Sequence, residues 1–138
     1  RTRGLACVLF YGARPAQELF YLDFFRNLGV ALVLTTEDGS FGERGTVVAP
    51  LERRLASQAA NRPVMIYACG PEGMLAATAK TAARHRQPCQ VSVERIMGCG
   101  LGGCYSCVVR MRSEHGGFHH VRSCITGPVL DGEQIVWE

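Results

Sequence analysis

Apolar and polar positions along this chain fall into blocks whose period changes several times. Leu5-Ala-Cys-Val-Leu-Phe-Tyr11 is an unbroken apolar run between Gly4 and Gly12, the pattern of a strand buried on both faces of a parallel sheet. The next block has helical spacing: Leu19, Leu22, Phe25 and Leu28 follow Pro15, and Gly29 stands where a helix would stop. Residues 30–35 form a second strand-like apolar run, followed by the polar loop 36–45. Residues 47–58 read as a helix with Leu51 and Leu55 on its buried face. Residues 64–68 read as a third buried strand, an Ala-rich helix is predicted from Glu72 to Arg86, and a fourth strand from Gln90 to Glu94.

Three successive strand–helix units imply a parallel sheet with right-handed crossovers, whose ligands bind outside the carboxyl ends of the strands. The loops at those ends are Gly12-Ala13-Arg14, residues 36–45, and Cys69-Gly70-Pro71-Glu72-Gly73. The last of them opens a helix whose free amides suit an anion or a dipole. Each loop alone is also what an ordinary turn looks like; their placement at one rim makes them candidates together.

From Arg95 the pattern changes again. Cys107-Val-Val-Arg-Met-Arg112 alternates like a half-exposed strand, Ser113-Glu-His-Gly-Gly117 is a turn, and residues 118–122 return. Gly127-Pro128 then turns the chain toward two short apolar pieces, Val129-Leu130 and Ile135-Val136-Trp137. The hairpin brings Cys124 back beside Cys107. With Cys99-Gly-Leu-Gly-Gly-Cys104-Tyr-Ser-Cys107 before it, this makes C-x4-C-x2-C followed by sixteen residues and a fourth Cys, the plant-type spacing for a [2Fe–2S] cluster. Two irons need four thiolates converging from different directions, so the loop must curl tightly. Gly100, Gly102 and Gly103 allow that curl and leave their amides free to donate to sulfur.

Other chemistries fit parts of this pattern. Seven cysteines are an odd number for a disulfide framework, and no signal segment accompanies them. Cys104-x2-Cys107 is a zinc-knuckle pair with His115, His119 and His120 nearby, but the second short chelating pair is replaced by the x4 arm from Cys99. A Rieske-type site needs two Cys-His arms, and those histidines are expected to decorate a solvent-facing hairpin. Cys7 and Cys89 read as a core thiol and a surface thiol without a role. Met97, Leu101 and Tyr105 are expected to shield the cluster from water.

Composition narrows the partners. The 138 residues carry a net charge of +3, too small and scattered for a nucleic-acid surface. No apolar run approaches the roughly 18 residues of a membrane span. Clustered thiols without a signal segment suggest a reducing, cytoplasmic setting in which metal or redox chemistry is expected. Arg1-Thr-Arg3 has no initiator Met and leads within a few residues into an apolar strand, as in part of a longer chain.

Taken together, Cys69-Gly-Pro-Glu-Gly-Met74, Val93-Glu-Arg95-Ile-Met-Gly-Cys99-Gly-Leu-Gly-Gly-Cys104-Tyr-Ser-Cys107 and Arg122-Ser-Cys124-Ile-Thr-Gly-Pro128 resemble the electron-transfer subunit of class B dihydroorotate dehydrogenase. Tyr11-Gly-Ala-Arg14 and Glu37-Asp-Gly-Ser40, with Gly42 and Gly45, extend the resemblance over nearly the whole chain. It implies an α/β fold: a partial ferredoxin-reductase-type NAD-binding parallel sheet over residues 1–94, lacking its first strand–helix unit, then a small β-rich [2Fe–2S] module over 95–138. It implies that electrons pass from the FMN of a catalytic partner subunit, in a heterotetramer, through the cluster to FAD and then NAD. FAD would be held by an N-terminal barrel not in this sequence.

By the same resemblance Cys99, Cys104, Cys107 and Cys124 are the cluster ligands, and Cys69 lies near the nicotinamide and flavin, unless it is simply a small residue at a tight turn. Gly12, Arg14, Asp38 and Ser40 would meet nucleotide phosphate or ribose, and Gly70, Pro71, Glu72 and Met74 would shape the third loop. Arg14 leaves NADP open beside NAD. The chain alone is expected to lack NADH oxidation activity. Competing assignments are the small subunit of a ferredoxin–NAD(P) oxidoreductase or the diaphorase of a soluble hydrogenase. A zinc-stabilised interaction module and a stand-alone ferredoxin are the non-enzymatic alternatives.

Overall fold

The computed structural model describes residues 5–57 and 63–137, which fall into two compact units divided between residues 58 and 59. In the first unit β1 (Val8–Ala13), β2 (Ala31–Thr36) and the two-residue β3 (Glu43–Arg44) lie side by side and parallel, with Val8 opposite Ala31 and Ala13 opposite Thr36. The single helix expected between β1 and β2 is broken in two. A 3-10 turn at Ala16–Glu18 is followed by α1 (Leu22–Asn27), with Tyr21 between them at φ 58°. The cause is a hydrogen-bond competitor. The Tyr11 hydroxyl accepts the Phe20 N–H at 3.0 Å and donates to the Glu18 carbonyl at 3.4 Å, taking over backbone groups that a continuous helix would pair internally.

The expectation that β1 is buried on both faces does not hold. Its residues are half-buried or exposed, and Val8 is 38% exposed. As an edge strand β1 pairs with β2 alone, and Phe20 and Phe24 in its crossover are themselves exposed. α2 (Val48–Ser57) buries Pro50, Leu51 and Leu55, as the spacing predicts. The expected last helical residue, Gln58, lies outside the described residues, as do Gly4 and the Arg1-Thr2-Arg3 start.

In the second unit β4 (Ile66–Cys69) runs through α3 (Glu72–Arg84) into the parallel strand β5 (Cys89–Ser92). β6 (Val108–Arg112) and β7 (Phe118–Arg122) form the expected hairpin, with Val108 opposite Arg122 and Arg112 opposite Phe118. A helical turn, α4 (Ser123–Thr126), which the sequence pattern does not announce, leads to β8 (Val129–Asp131). β8 does not join the hairpin. It pairs antiparallel with β5, Leu130 opposite Val91, so the sheet order is β4-β5-β8.

One core runs through this unit: Leu75 and Ala82 of α3, Val91 of β5, Val109 and Met111 of β6, Leu130 of β8, and Ile135. The hydrogen bonds and the core therefore cross the 94/95 position. Cys7 and Cys89 are the reverse of expectation: Cys7 is exposed and Cys89 buried. Cys7 precedes an open edge strand, whereas Cys89 opens the central strand of the β4-β5-β8 sheet. Burial, with the nearby Asp131 charge, raises the Cys89 thiol to about 11.

Candidate metal centre and nucleotide loops

The four thiols of the C-x4-C-x2-C…C pattern are gathered by two elements with different tasks. The loop 98–106 carries Cys99 and Cys104, and the β6–β7 hairpin carries Cys107 at its entry and returns the chain to Cys124 in α4. Cys107 and Cys124 share a hydrogen bond across 3.3 Å between their sulfurs. Ser123, which is fully buried, donates its N–H to the Cys107 carbonyl at 3.0 Å, stitching the two arms together.

The loop's backbone is wrapped around the Cys99 sulfur. The Leu101 N–H points at it at 3.4 Å. Hydrogen bonding from the Cys104 N–H first, then from Leu101, the Cys104 side chain and Gly103, lowers the Cys99 thiol to about 6. That favours thiolate at neutral pH, the form that binds metal. In the second pair the Cys124 N–H and thiol lower the Cys107 pKa, while the same contact and burial raise that of Cys124. Ser106 braces the loop from inside, accepting the Gly98 N–H at 2.9 Å and lying 3.1 Å from the Cys104 sulfur.

Among the described residues no three His, Cys, Asp or Glu side chains gather closely enough for one metal ion. Cys107 and Cys124 stand as a pair, their sulfurs 3.3 Å apart, while Cys99 and Cys104 share the loop 98–106. In a [2Fe–2S] group each iron would take two of the four thiolates. The Ser123 hydroxyl is buried and helps to lower the Cys107 pKa.

Leu101, Tyr105 and Met97 do not cover the thiols as expected. Leu101 is 87% exposed, and Tyr105, Met97, Ile96 and Ile125 are also exposed, because the tight loop turns its side chains outward while its amides face sulfur. The result is an apolar lip around the thiols. His115, His119 and His120 are exposed on the hairpin, as expected.

The nucleotide-loop candidates separate by unit. In the first unit Gly12 and Arg14 follow β1 beside the end of β2, where Gly12 opposes Thr35. A Cβ at Gly12 would stand 2.7 Å from both Thr35 Oγ1 and Val47 Cγ1, so close approach excludes a side chain there. Asp38 and Ser40 are exposed and bind each other: Ser40 donates from its N–H at 2.9 Å and from its hydroxyl at 2.6 Å to Asp38, while the Ser40 hydroxyl oxygen accepts the Ala16 N–H at 2.8 Å. Those Ser40 bonds hold the Asp38 carboxyl below its usual range.

In the second unit Cys69 is exposed at the end of β4. Gly70, Pro71 and Glu72 line a cavity of about 180 Å³ with Leu75, Val93, Glu94, Arg95 and Trp137; Cys69 and Met74 are not among its lining residues. Arg95 donates two hydrogen bonds to the Glu72 carboxylate, at 2.8 and 3.0 Å. This pair ties the first turn of α3 to the segment entering the cysteine loop, and the hydrogen bond from Arg95 lowers the Glu72 pKa. Arg95 and Trp137 are lining residues that sequence reasoning missed; a motif match spanning Arg95 to Cys99 gave no sign that Arg95 faces backward.

A three-stranded parallel unit with small-residue loops at its strand ends, followed by a strand–helix–strand unit fused to a cysteine loop, is the framework of a nucleotide-linked redox protein. Residues 2–80 match the oxidoreductase NAD-binding domain, and the chain belongs to that family. Residues 94–136 match the iron–sulfur cluster binding domain of dihydroorotate dehydrogenase B. The chain is 35% identical, over 94% of its length, to the dihydroorotate dehydrogenase B (NAD(+)) electron transfer subunit of Desulforamulus reducens, covering 48% of that protein. It is 40% identical, over 92% of its length, to the probable subunit of the same name from Archaeoglobus fulgidus, covering 49% of it. It thus spans about half the length of these relatives. A solved chain from a study of flavin-based electron bifurcation by NADH-dependent reduced ferredoxin-NADP oxidoreductase is 28% identical, with a TM-score of 0.77 over 97% of this chain and 45% of that one.

Proposed function

We propose that this chain is the cluster-bearing part of an electron-transfer subunit of a NAD-dependent dihydroorotate dehydrogenase. Residues 1–94 serve the nucleotide and 95–138 the cluster. The observation that carries the reading is the contact of Cys107 with Cys124 and the loop amide aimed at the Cys99 sulfur, inside a segment matching the iron–sulfur domain of that enzyme. In the complete enzyme dihydroorotate loses two electrons and two protons to become orotate, and NAD+ takes two electrons and one proton to become NADH. A [2Fe–2S] cluster supplies one-electron transfer between the FMN of the catalytic partner and the FAD beside NAD.

This chain's residues have three tasks in that scheme. Cys99, Cys104, Cys107 and Cys124 hold the cluster as thiolates, and the loop amides donate to their sulfurs. The exposed lip of Ile96, Leu101, Tyr105 and Ile125 meets the FMN-containing partner, where an apolar surface excludes water on docking. Gly12, Arg14, Asp38 and Ser40 are the nucleotide-contact residues of the first unit, and Cys69, Gly70, Pro71, Glu72 and Met74 are those of the second. Among the described residues no helix is long and apolar enough to cross a membrane.

Cys104→Ser in the full-length subunit with its partner tests this. Visible absorbance, iron and sulfide should fall with NAD reduction, while dihydroorotate oxidation with an artificial acceptor continues. Unchanged NAD reduction overturns the assignment. A second reading, a subunit of a ferredoxin–NADP oxidoreductase, draws support from the solved chain of that kind. Reduction by ferredoxin without response to dihydroorotate would favour it.

A further inference from the structure

The cysteine loop is held by a side chain outside the ligand pattern. Arg122 ends β7, two residues before Cys124, and reaches back over the loop from the far side of the hairpin. Its Nη1 donates to the Gly102 carbonyl at 2.6 Å, and its guanidinium lies 4.9 Å from the centre of the Tyr105 ring. Gly102 is buried at φ 84° and Tyr105 adopts φ 59°, so the arginine grips the loop where its backbone is least able to hold itself.

The consequence follows from the peptide bond. In a trans peptide the carbonyl of one residue and the N–H of the next point in opposite directions from one rigid plane. Pulling the Gly102 carbonyl toward Arg122 therefore turns the Gly103 N–H the other way, toward the sulfur side of the loop. The Leu101 N–H, two residues earlier, points at the Cys99 sulfur at 3.4 Å, so that is the side on which the loop presents its amides. Tyr105, pressed by the same guanidinium, follows Cys104 directly and precedes Ser106, the brace on the Cys104 sulfur. One side chain thus contacts both the Gly102 peptide and the residue that follows Cys104.

We infer that Arg122 is a positioning residue for the metal centre, which orients the Gly103 N–H toward the Cys99 sulfur by holding the Gly102 carbonyl. The inference rests on the cluster reading above. Hydrogen bonds to cluster sulfurs set the reduction potential, so Arg122 tunes electron flow without touching a ligand. The guanidinium also adds a fixed positive charge, which stabilises the reduced, more negative state in the same direction; the experiment must separate the two.

Arg122→Met and Arg122→Lys in the full-length holoprotein make that separation. Methionine keeps an unbranched stem and removes the donor and charge, whereas lysine keeps a cationic donor. Potentiometric titration and resonance Raman spectra in H2O and D2O are read together, since the deuterium shift of the iron–sulfur stretching bands reports N–H···S bonds and not a distant charge. In Arg122→Met the reduced-to-oxidised ratio at a fixed potential should fall at least threefold and the deuterium shift should shrink, while Arg122→Lys stays near wild type. Loss of cluster in Arg122→Met with loading kept in Arg122→Lys supports the same role. A wild-type deuterium shift in loaded Arg122→Met overturns it, even with a lowered potential. So does loss of cluster in both variants with the far-ultraviolet circular dichroism intact. Wild-type protein without iron and sulfide would overturn the cluster reading itself.

Discussion

At the residue scale, two glycines of the cysteine loop differ in what they would tolerate. Gly100 and Gly102 both have positive φ, 66° and 84°. A Cβ at Gly100 meets nothing within 4 Å, whereas one at Gly102 runs into the Ile125 side chain. Left-handed backbone costs an alanine about 1–2 kcal/mol, so both substitutions should lower the melting temperature. Gly102→Ala should lower it further and also reduce cluster content in an iron and sulfide assay. The Glu72–Arg95 pair is half-exposed on the carboxylate side, so Glu72→Gln should cost no more than about 1 kcal/mol. Its pH dependence has a definite sign. The folded pKa lies below the ordinary 4.5, so its stabilising contribution is fully present above 4.5 and is lost as pH falls through the lower folded value. Melting temperatures of wild type and Glu72→Gln should differ at pH 7 and converge under acid conditions. The four cysteines and the loop glycines are legible in the sequence because ligand spacing is a local property. Arg95 and Arg122 are not, since each acts on a segment about twenty residues away that only folding brings near.

At the element scale, the break before α1 shows a local pattern overruled by a single side chain. Leu19, Leu22, Phe25 and Leu28 have helical spacing, yet the Tyr11 hydroxyl from the neighbouring strand occupies the Phe20 N–H and the Glu18 carbonyl. Tyr11→Phe removes that competitor and leaves those groups to water or to each other. We expect a loss of about 0.5–1.5 kcal/mol, measured by urea unfolding. A gain in stability would mean that the continuous helix is the better solution and that the hydroxyl is not its cause of interruption. α3 follows its spacing because its apolar stripe has β4 and β5 to cover, and α2 buries the Leu51 and Leu55 of its own stripe. The buried face of α3, Leu75, Thr78, Ala79 and Ala82, is small enough for close packing on β4 and β5.

At the scale of the whole molecule, the decisive arrangement is the fusion of the cysteine hairpin to the strand–helix–strand unit before it. Ile135 is 1% exposed and bridges to Met111 of β6, within the core that also contains Val91 and Leu75. Ile135→Ala should cost about 2–5 kcal/mol. Because the core is shared, circular dichroism and cluster absorbance should melt together and at a lower temperature than in wild type. A shift in cluster absorbance alone would show that the hairpin melts independently. Coupling of this kind, with the Glu72–Arg95 pair, ties the first turn of α3 to the segment entering the cysteine loop.

By itself the sequence determined the strand–helix order, the small-residue loops at strand ends and the spacing of the four thiols. These follow from periodicity, turn chemistry and ligand spacing, all of which are written in neighbouring residues. Tertiary structure alone decided that β8 pairs with β5, that Cys89 and not Cys7 is buried, that Leu101 and Tyr105 face outward, and that Arg122 and Arg95 clamp distant loops. Each of those depends on which segments meet across long stretches of chain. Local pattern carries no term for that, because the energy of a buried contact belongs to both partners at once.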